Sequence, residues 1–387
     1  MVRVPLGEAG LAISSAQKVL LIAVWTVGCA APICLGQASF RGLGTVPGGI
    51  GSLASAVSAD GTTVVGKCPN GVTLVAFRWT DGTGMVSLGD LPAPVQGSNA
   101  TAVSSDGSVI VGMASGQRQP YRWTQATGMV AMTGMPSVSS GVAGLSGDGS
   151  VAVGALIQSP NTLAVRWTQA TGPVDLGFMP GGRPGAAQAL GVNADGSVIV
   201  GYGTIGTGSG TTRSAFRWTT QSGMVSLGGL PGQTFWSEAN AVSSDGAAVV
   251  GDAQWGTTTH AIRWTAGPGM IDLGVIAGGG ASSASAVNSD GSVIVGVCSL
   301  GGVDHAFLWT QQAGMVDLKS YLISLGATGL SGWSLDSATG ISADGNTIVG
   351  TGTNPSGRQE GYYAVIPAPG SLMVLCGLGV GAARRRR

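Results

Sequence analysis

Charge is scarce in this chain: only 9% of its 387 residues are Asp, Glu, Lys or Arg, and the two signs cancel at 18 each. Balanced, sparse charge excludes a general electrostatic footprint for nucleic acid. The one basic run, residues 384–387, sits at the extreme C-terminus. Histidine is rarer still, with two copies, and no CxxC occurs among the five cysteines. A structural zinc site is therefore not expected, and no cofactor is. Aromatics make up 5%. What is abundant is glycine, 69 residues, beside a hydrophobic fraction of 44%. A disordered chain has less apolar residue and more charge. Many short strands joined by tight turns fit these numbers, and all-β folds of this length occur as single domains.

The ends differ from the body. Lys18 precedes the apolar run Val-Leu-Leu-Ile-Ala-Val-Trp at 19–25, and small residues follow. That order is the layout of a secretory signal, with cleavage after Ala38 or after Ala30. At the other end, Pro367 and Pro369 lead into an apolar run at 372–383 and four arginines. Twelve helical residues reach about 18 Å at about 1.5 Å each. The run alone is thus shorter than a hydrocarbon core of about 30 Å. Its arginines would stay on the cytoplasmic side. The division expected is 1–38 signal peptide, 39–366 repeat body and 367–387 tail.

The body repeats. Asp-Gly recurs at Asp60, Asp106, Asp148, Asp195, Asp245, Asp290 and Asp344, inside text such as Ala-Val-Ser-Ser-Asp-Gly-Ser-Val-Ile-Val-Gly at 102–112. Two β-rich runs around Asp-Gly are a strong hairpin signal, because the pair tolerates the positive φ that tight turns need. A third strand ends in Arg-Trp-Thr, as at 78–80 and 217–219, and a fourth reads Met-Val, as at Met129 and Met224. Four strands in about 40 to 50 residues match a propeller blade. The seventh repeat lacks its fourth strand, whereas the chain at 40–46 reads like a fourth strand with nothing before it. Residues 40–46 should therefore pair with 361–366 and close a seven-bladed β-propeller of four-stranded antiparallel blades. Closure removes an exposed sheet edge.

With the N-terminal strand outermost, the Ala-Val-Ser strands line a central channel and the Asp-Gly turns share one face. The opposite face carries connections of unequal length, the longest at 201–213 and 319–339. Variation on one face of a rigid scaffold marks the expected binding side. Its non-repeated aromatics are Tyr202, Phe235, Trp236, Trp255 and Trp333, with Arg183, Arg213, Glu238 and Asp252 nearby. Such residues suit sugar-ring stacking or a protein contact; their alternative role is filling gaps between blades. The repeated Trp residues read as core anchors. Gly61 to Cys68 approaches a phosphate-binding loop, but no helix follows and the spacing recurs in the repeats. Residues 201–206 fit a dinucleotide fingerprint but open no helix either. His260 and His305 share one repeat position and read as structural, and Cys68 and Cys298 as free thiols. No nucleophile–base–acid set stands out, so no enzyme activity is expected.

The repeats, with the triplet His305-Ala306-Phe307 and its variant His260-Ala261-Ile262, resemble the HAF family of extracellular repeat proteins. That resemblance covers about residues 40–366 and implies an extracellular protein without implying a reaction. The tail resembles the PEP-CTERM sorting signal in its paired prolines, Gly/Leu-rich apolar run and terminal arginines. It implies export by the secretory pathway of a Gram-negative bacterium, processing by an exosortase-type protease and transient membrane attachment. The function expected is a cell-surface or matrix interaction module for polysaccharide or a surface protein. The alternatives are a polysaccharide lyase or hydrolase, and a purely structural surface component.

Overall fold

The computed structural model describes residues 37–367, except 93–95, 115–117, 136–139, 182–185, 208–209 and 234–235. Nearly all of the expected signal peptide and of the tail lies outside the described residues; of the 1–38 segment, Gln37 and Ala38 are described, and Ala38 is buried in the core. Seven four-stranded antiparallel sheets make up the body. Blades one to six span 53–87, 98–131, 140–175, 187–228, 237–272 and 279–317, each with its strands in chain order. Blade seven takes three strands from 334–365 and its outermost strand, Ser39–Gly42, from the N-terminal end of the body. The closing register pairs Ser39 with Val365 and Gly42 with Tyr362. First strands of consecutive blades touch, and those of blades seven and one touch as well, so the ring is shut.

The Asp-Gly turn differs in detail from a two-residue hairpin. In blade one, five residues separate strand Leu53–Val57 from strand Thr63–Pro69. Only the glycine, Gly61, takes a positive φ, of 75°. The aspartate works through its carboxylate: Asp60 Oδ1 accepts from Ser58 Oγ at 2.5 Å and from the Thr62 amide at 3.0 Å. Ser58 Oγ in turn accepts the Thr63 amide at 2.9 Å. This is an Asx turn locked by a buried hydroxyl. Ser or Asn fills that buried position in every blade, as at Ser104 and Asn193.

Each first strand carries a β-bulge, as between Ala100 and Ala102 opposite Gly112. The bulge turns the Asn99 carbonyl onto Gly112, where a Cβ would collide with it and with the Tyr121 ring. That collision explains the invariant glycine of Val-Ile-Val-Gly. Beneath it lies a fully buried ring, Phe77, Tyr121, Phe216, Phe307 or Tyr362 in five of the blades. Seams between blades are fixed by the third strand. Arg217 Nε donates to Gly246 O at 3.2 Å and Arg263 Nε to Gly291 O at 3.1 Å, each the turn glycine of the next blade. In blade seven Tyr363 Oη donates equivalently to Gly61 O at 3.1 Å. In blades four and five the repeated arginine thus serves a carbonyl rather than the neighbouring carboxylate, whereas Arg78 donates to Thr63 Oγ1 within its own blade at 3.2 Å.

The channel mouth on the turn side is small, about 150 Å³, ringed by residues such as Val57, Val103 and Ile341. Backbone hydrogen bonds tie blades together there, for example Ser105 N to Gly147 O at 2.8 Å and Ala343 N to Ala59 O at 2.9 Å. Two connections expected as long loops carry regular secondary structure among their described residues. The 201–213 region extends the hairpin of strands Ile199–Thr207 and Gly210–Thr219. The 319–339 region opens with a helix, Leu318–Ser324, that the repeat pattern does not announce.

Candidate functional site

Blades four to six carry a chain of non-repeated polar side chains at the end of the strands away from the Asp-Gly turns. Its positions are set by the repeat. The second residue of each first strand, or the one equivalent to it, varies: Leu53, Asn99, Gly141, Gln188, Glu238, Ser283, Ser337. The residue after the second-strand glycine varies too: Lys67, Met113, Ala155, Tyr202, Asp252, Val297, Thr351. The two positions are cross-strand partners, as Glu238 is of Asp252 and Gln188 of Tyr202.

At the buried end, Asp252 is 9% exposed. Its Oδ1 accepts from Ser283 Oγ at 2.9 Å and Asn240 Nδ2 at 3.1 Å, so residues from blades five and six meet on one oxygen. Burial pushes the Asp252 carboxyl up, and Glu238 opposite it adds to the rise, against those two hydrogen bonds. Glu238 also forms an ion pair with Arg213 from blade four. The hydrogen bond that Arg213 donates to Glu238 holds the guanidinium above its ordinary value. Arg213 lies 4.5 Å over the Tyr202 ring, and Tyr202 Oη donates to Gln188 Oε1 at 2.9 Å. The series runs from a buried carboxyl to an arginine that is 49% exposed, with one face of the guanidinium on an aromatic ring. An Arg held in this way keeps N–H donors for a carboxylate, a sugar hydroxyl or a carbonyl.

The five aromatic candidates separate. Tyr202 belongs to this network. Phe235 lies outside the described residues. Trp236 is half-buried, and its carbonyl accepts the Gln254 amide at 3.0 Å. Trp255 is 41% exposed and stacks on His260, ring centroids 5.2 Å apart. Trp333 takes the alternative role of filling a gap between blades: at 8% exposure it packs edge-on against Phe40 of the closing strand, in the core between blades six and seven. Arg183 also lies outside the described residues.

Sequence reasoning passed over Gln188, Asn240 and Ser283, which only an alignment of the internal repeats would single out. It also passed over what the histidines do. His260 Nδ1 lies 3.0 Å from Asp272, and His305 Nδ1 3.1 Å from Asp317, each carboxylate twelve residues later on the fourth strand. Cys68 and Cys298 are free and buried. Among the described residues, no three His, Cys, Asp or Glu side chains are grouped to hold a metal ion.

No family model matches the chain, and no curated protein matches it in sequence. Solved propellers do match in shape. An oligogalacturonate lyase from Vibrio parahaemolyticus superposes with a TM-score of 0.56 at 12% identity, covering 85% of this chain and 93% of that one. The β-propeller domain of the Trilobed protease from Pyrococcus furiosus gives 0.55 at 10% identity, covering 82% and 94%. TolB from Acinetobacter baumannii gives 0.46 at 14% identity, and the chain spans 63% of its length. Identities this low establish the fold alone.

Proposed function

We propose that the chain is an exported surface propeller that binds polysaccharide through the face carrying the Arg213 network. The observation that carries this reading is the grouping of non-repeated polar residues. Gln188, Tyr202, Arg213, Glu238, Asn240, Asp252 and Ser283 depart from the repeat and fall into one continuous series. A scaffold alone needs no such departure, because the other blades close without it. Donor groups on a stacked arginine beside an aromatic ring match the hydroxyls and carboxylates of a glycan.

Export and surface display rest on the N-terminal order of basic, apolar and small residues and on the resemblances to HAF repeats and PEP-CTERM tails. On that reading an exosortase-type protease handles the tail. The likeness to a lyase of oligogalacturonate supports a glycan only in showing that such a propeller can host one.

The test is a glycan array and a pull-down from surface extract with residues 39–366, beside Arg213→Ala and Tyr202→Ala. Retention that both substitutions abolish supports the reading. Retention that neither changes refutes the assigned face, and capture of protein in place of glycan replaces the polysaccharide with a surface protein. Unsaturated or newly reducing products in the same incubation would make the propeller an enzyme.

A further inference from the structure

The groove between blades six and seven is a second, chemically different place on the molecule. It encloses about 530 Å³, a volume that holds a small ligand. Its walls are mostly apolar, with Leu300, Val303, Ile323 and the Trp333 edge among them. Its polar groups are His305, Asp304, Asp317 and Lys319, with Ser320 and Ser334.

Most of those polar groups are already engaged. Lys319 Nζ donates to Trp333 O at 2.5 Å and ties the helix to the entry of blade seven. Asp317 Oδ1 accepts the Ser320 amide at 2.7 Å, and Asp317 Oδ2 faces His305 Nδ1 at 3.1 Å. A carboxylate only accepts, so Nδ1 donates to Asp317 and Nε2 is the ring atom left to meet a ligand. His305 is 34% exposed in its side chain, and Nε2 has no partner among the described residues. Asp304, on the rim, is exposed and likewise has no hydrogen-bond or ion-pair partner among them. The open groups of the groove are therefore His305 Nε2 and the Asp304 carboxylate, set beside apolar walls.

Blade five shows the same pair closed. There His260 is 9% exposed, and the Trp255 indole stacks over it at an interplanar angle of 14°. In blade six Leu300 stands where blade five has Trp255, four residues after the second-strand glycine. The change from Trp to Leu leaves the His305 ring uncovered.

From this we infer that the groove binds an uncharged pyranose residue, one hydroxyl of which hydrogen-bonds His305 Nε2 and another donates to Asp304, while its C–H face lies on Val303, Ile323 and the Trp333 edge. A uronic acid is disfavoured, because its carboxylate would enter a groove already lined by the Asp304 and Asp317 carboxylates. This goes beyond the Arg213 network, whose free groups are donors.

The experiment is saturation-transfer NMR and fluorescence titration of residues 39–366 with neutral gluco- and manno-oligosaccharides, with oligogalacturonate as the acidic probe. Measured in an Arg213→Ala background, so that only the groove is read, neutral probes should bind about tenfold more weakly once His305→Phe is added, and unchanged once His260→Phe is added. Asp304→Lys, at an exposed position, serves as the second variant if His305→Phe melts early. Neutral binding that is absent, that survives both His305→Phe and Asp304→Lys, or that is lost equally in His260→Phe overturns the groove. Arg213-dependent retention on the glycan array would then still stand, so the two sites fail separately.

Discussion

The ring should be weakest where it is closed by a strand of four residues, and Arg41 on that strand is the place to test it. Successive residues of a strand face opposite ways, so Ser39–Gly42 holds two seams at once. Phe40 faces the core between blades six and seven, 5.2 Å from the Trp333 ring and 5.8 Å from Tyr362. Arg41 faces the seam between blades seven and one, its guanidinium 4.7 Å from the Trp79 ring and 4.9 Å from Tyr363. It also reaches Asp81 of blade one at 2.5 Å. The ion pair adds little, since its side chains are 43% and 79% exposed. Two cation–π contacts at an exposed site are worth roughly 0.5–1 kcal/mol each. Arg41→Ala should therefore destabilise by roughly 1–2 kcal/mol. Phe40→Ala should cost roughly 2–3 kcal/mol, below the full range for a core Phe because Phe40 is only partly buried. Chemical denaturation of residues 39–366 measures both, and a cycle pairing Arg41→Ala with Asp81→Ala isolates the ion pair. A chain truncated before Leu43 exposes the edge of strand Gln359–Val365 and should lose more than either substitution. Stability within 0.3 kcal/mol of native for Arg41→Ala and Phe40→Ala together would refute the closure, on the usual resolution of such cycles, about 0.3–0.5 kcal/mol.

Three further outcomes follow from the geometry. Asp252→Asn keeps the acceptor for Asn240 and Ser283 and removes a buried charge. Because the Asp252 carboxyl is raised in the folded state, its stabilising protonated form is lost as pH rises, so the variant should melt higher than native at pH 7. Thermal scans should show that gain fading as the pH falls below the ordinary carboxylate range; a lower melting point at pH 7 would contradict it. Asp106 has the opposite sign: hydrogen bonds from the Ser108 amide, Ser104 and the Ser108 hydroxyl hold its carboxyl at about 2. Its contribution is present above the unfolded value and lost as pH falls toward 2, so Asp106→Asn should be destabilised at pH 6 and indistinguishable from native near pH 2 in the same scans. Gly112→Ala sets a Cβ against the Asn99 carbonyl and should cost about 1–3 kcal/mol or more, whereas Gly82→Ala, with open space around it, should cost far less in the same denaturation assay.

The repeat text made the blade legible, and particular residues show how far that went. The Asp-Gly turn was readable as a turn, but not that Ser58 and Asp60 lock it through side chains while only Gly61 takes the positive φ. The arginine of Arg-Trp-Thr was readable as scaffold, yet the partner of Arg217 and Arg263, a carbonyl of the next blade, is set by the rotation between blades. Trp333 looked like a surface aromatic because it lies in a long connection. Phe40, nearly three hundred residues away in sequence, makes it core. Among the candidates for function, Tyr202, Arg213, Glu238 and Asp252 were visible as departures from the repeat, and their joining into one network was not.

The sequence by itself determined the unit and its number, because strand period, turn chemistry and the buried glycine are local properties copied seven times. It also determined the closure, since a missing fourth strand at one end and an extra one at the other leave a single complementary pairing. Only the tertiary structure decided which non-repeated side chains meet. Residues at one position in neighbouring blades lie some 45 positions apart in the chain, as Asn240 and Ser283 nearly do, and are brought to hydrogen-bonding distance by the twist and spacing of the packed sheets. The same packing opened one His–Asp pair and sealed the other, through a single Leu for Trp exchange whose effect is felt only across a finished hairpin.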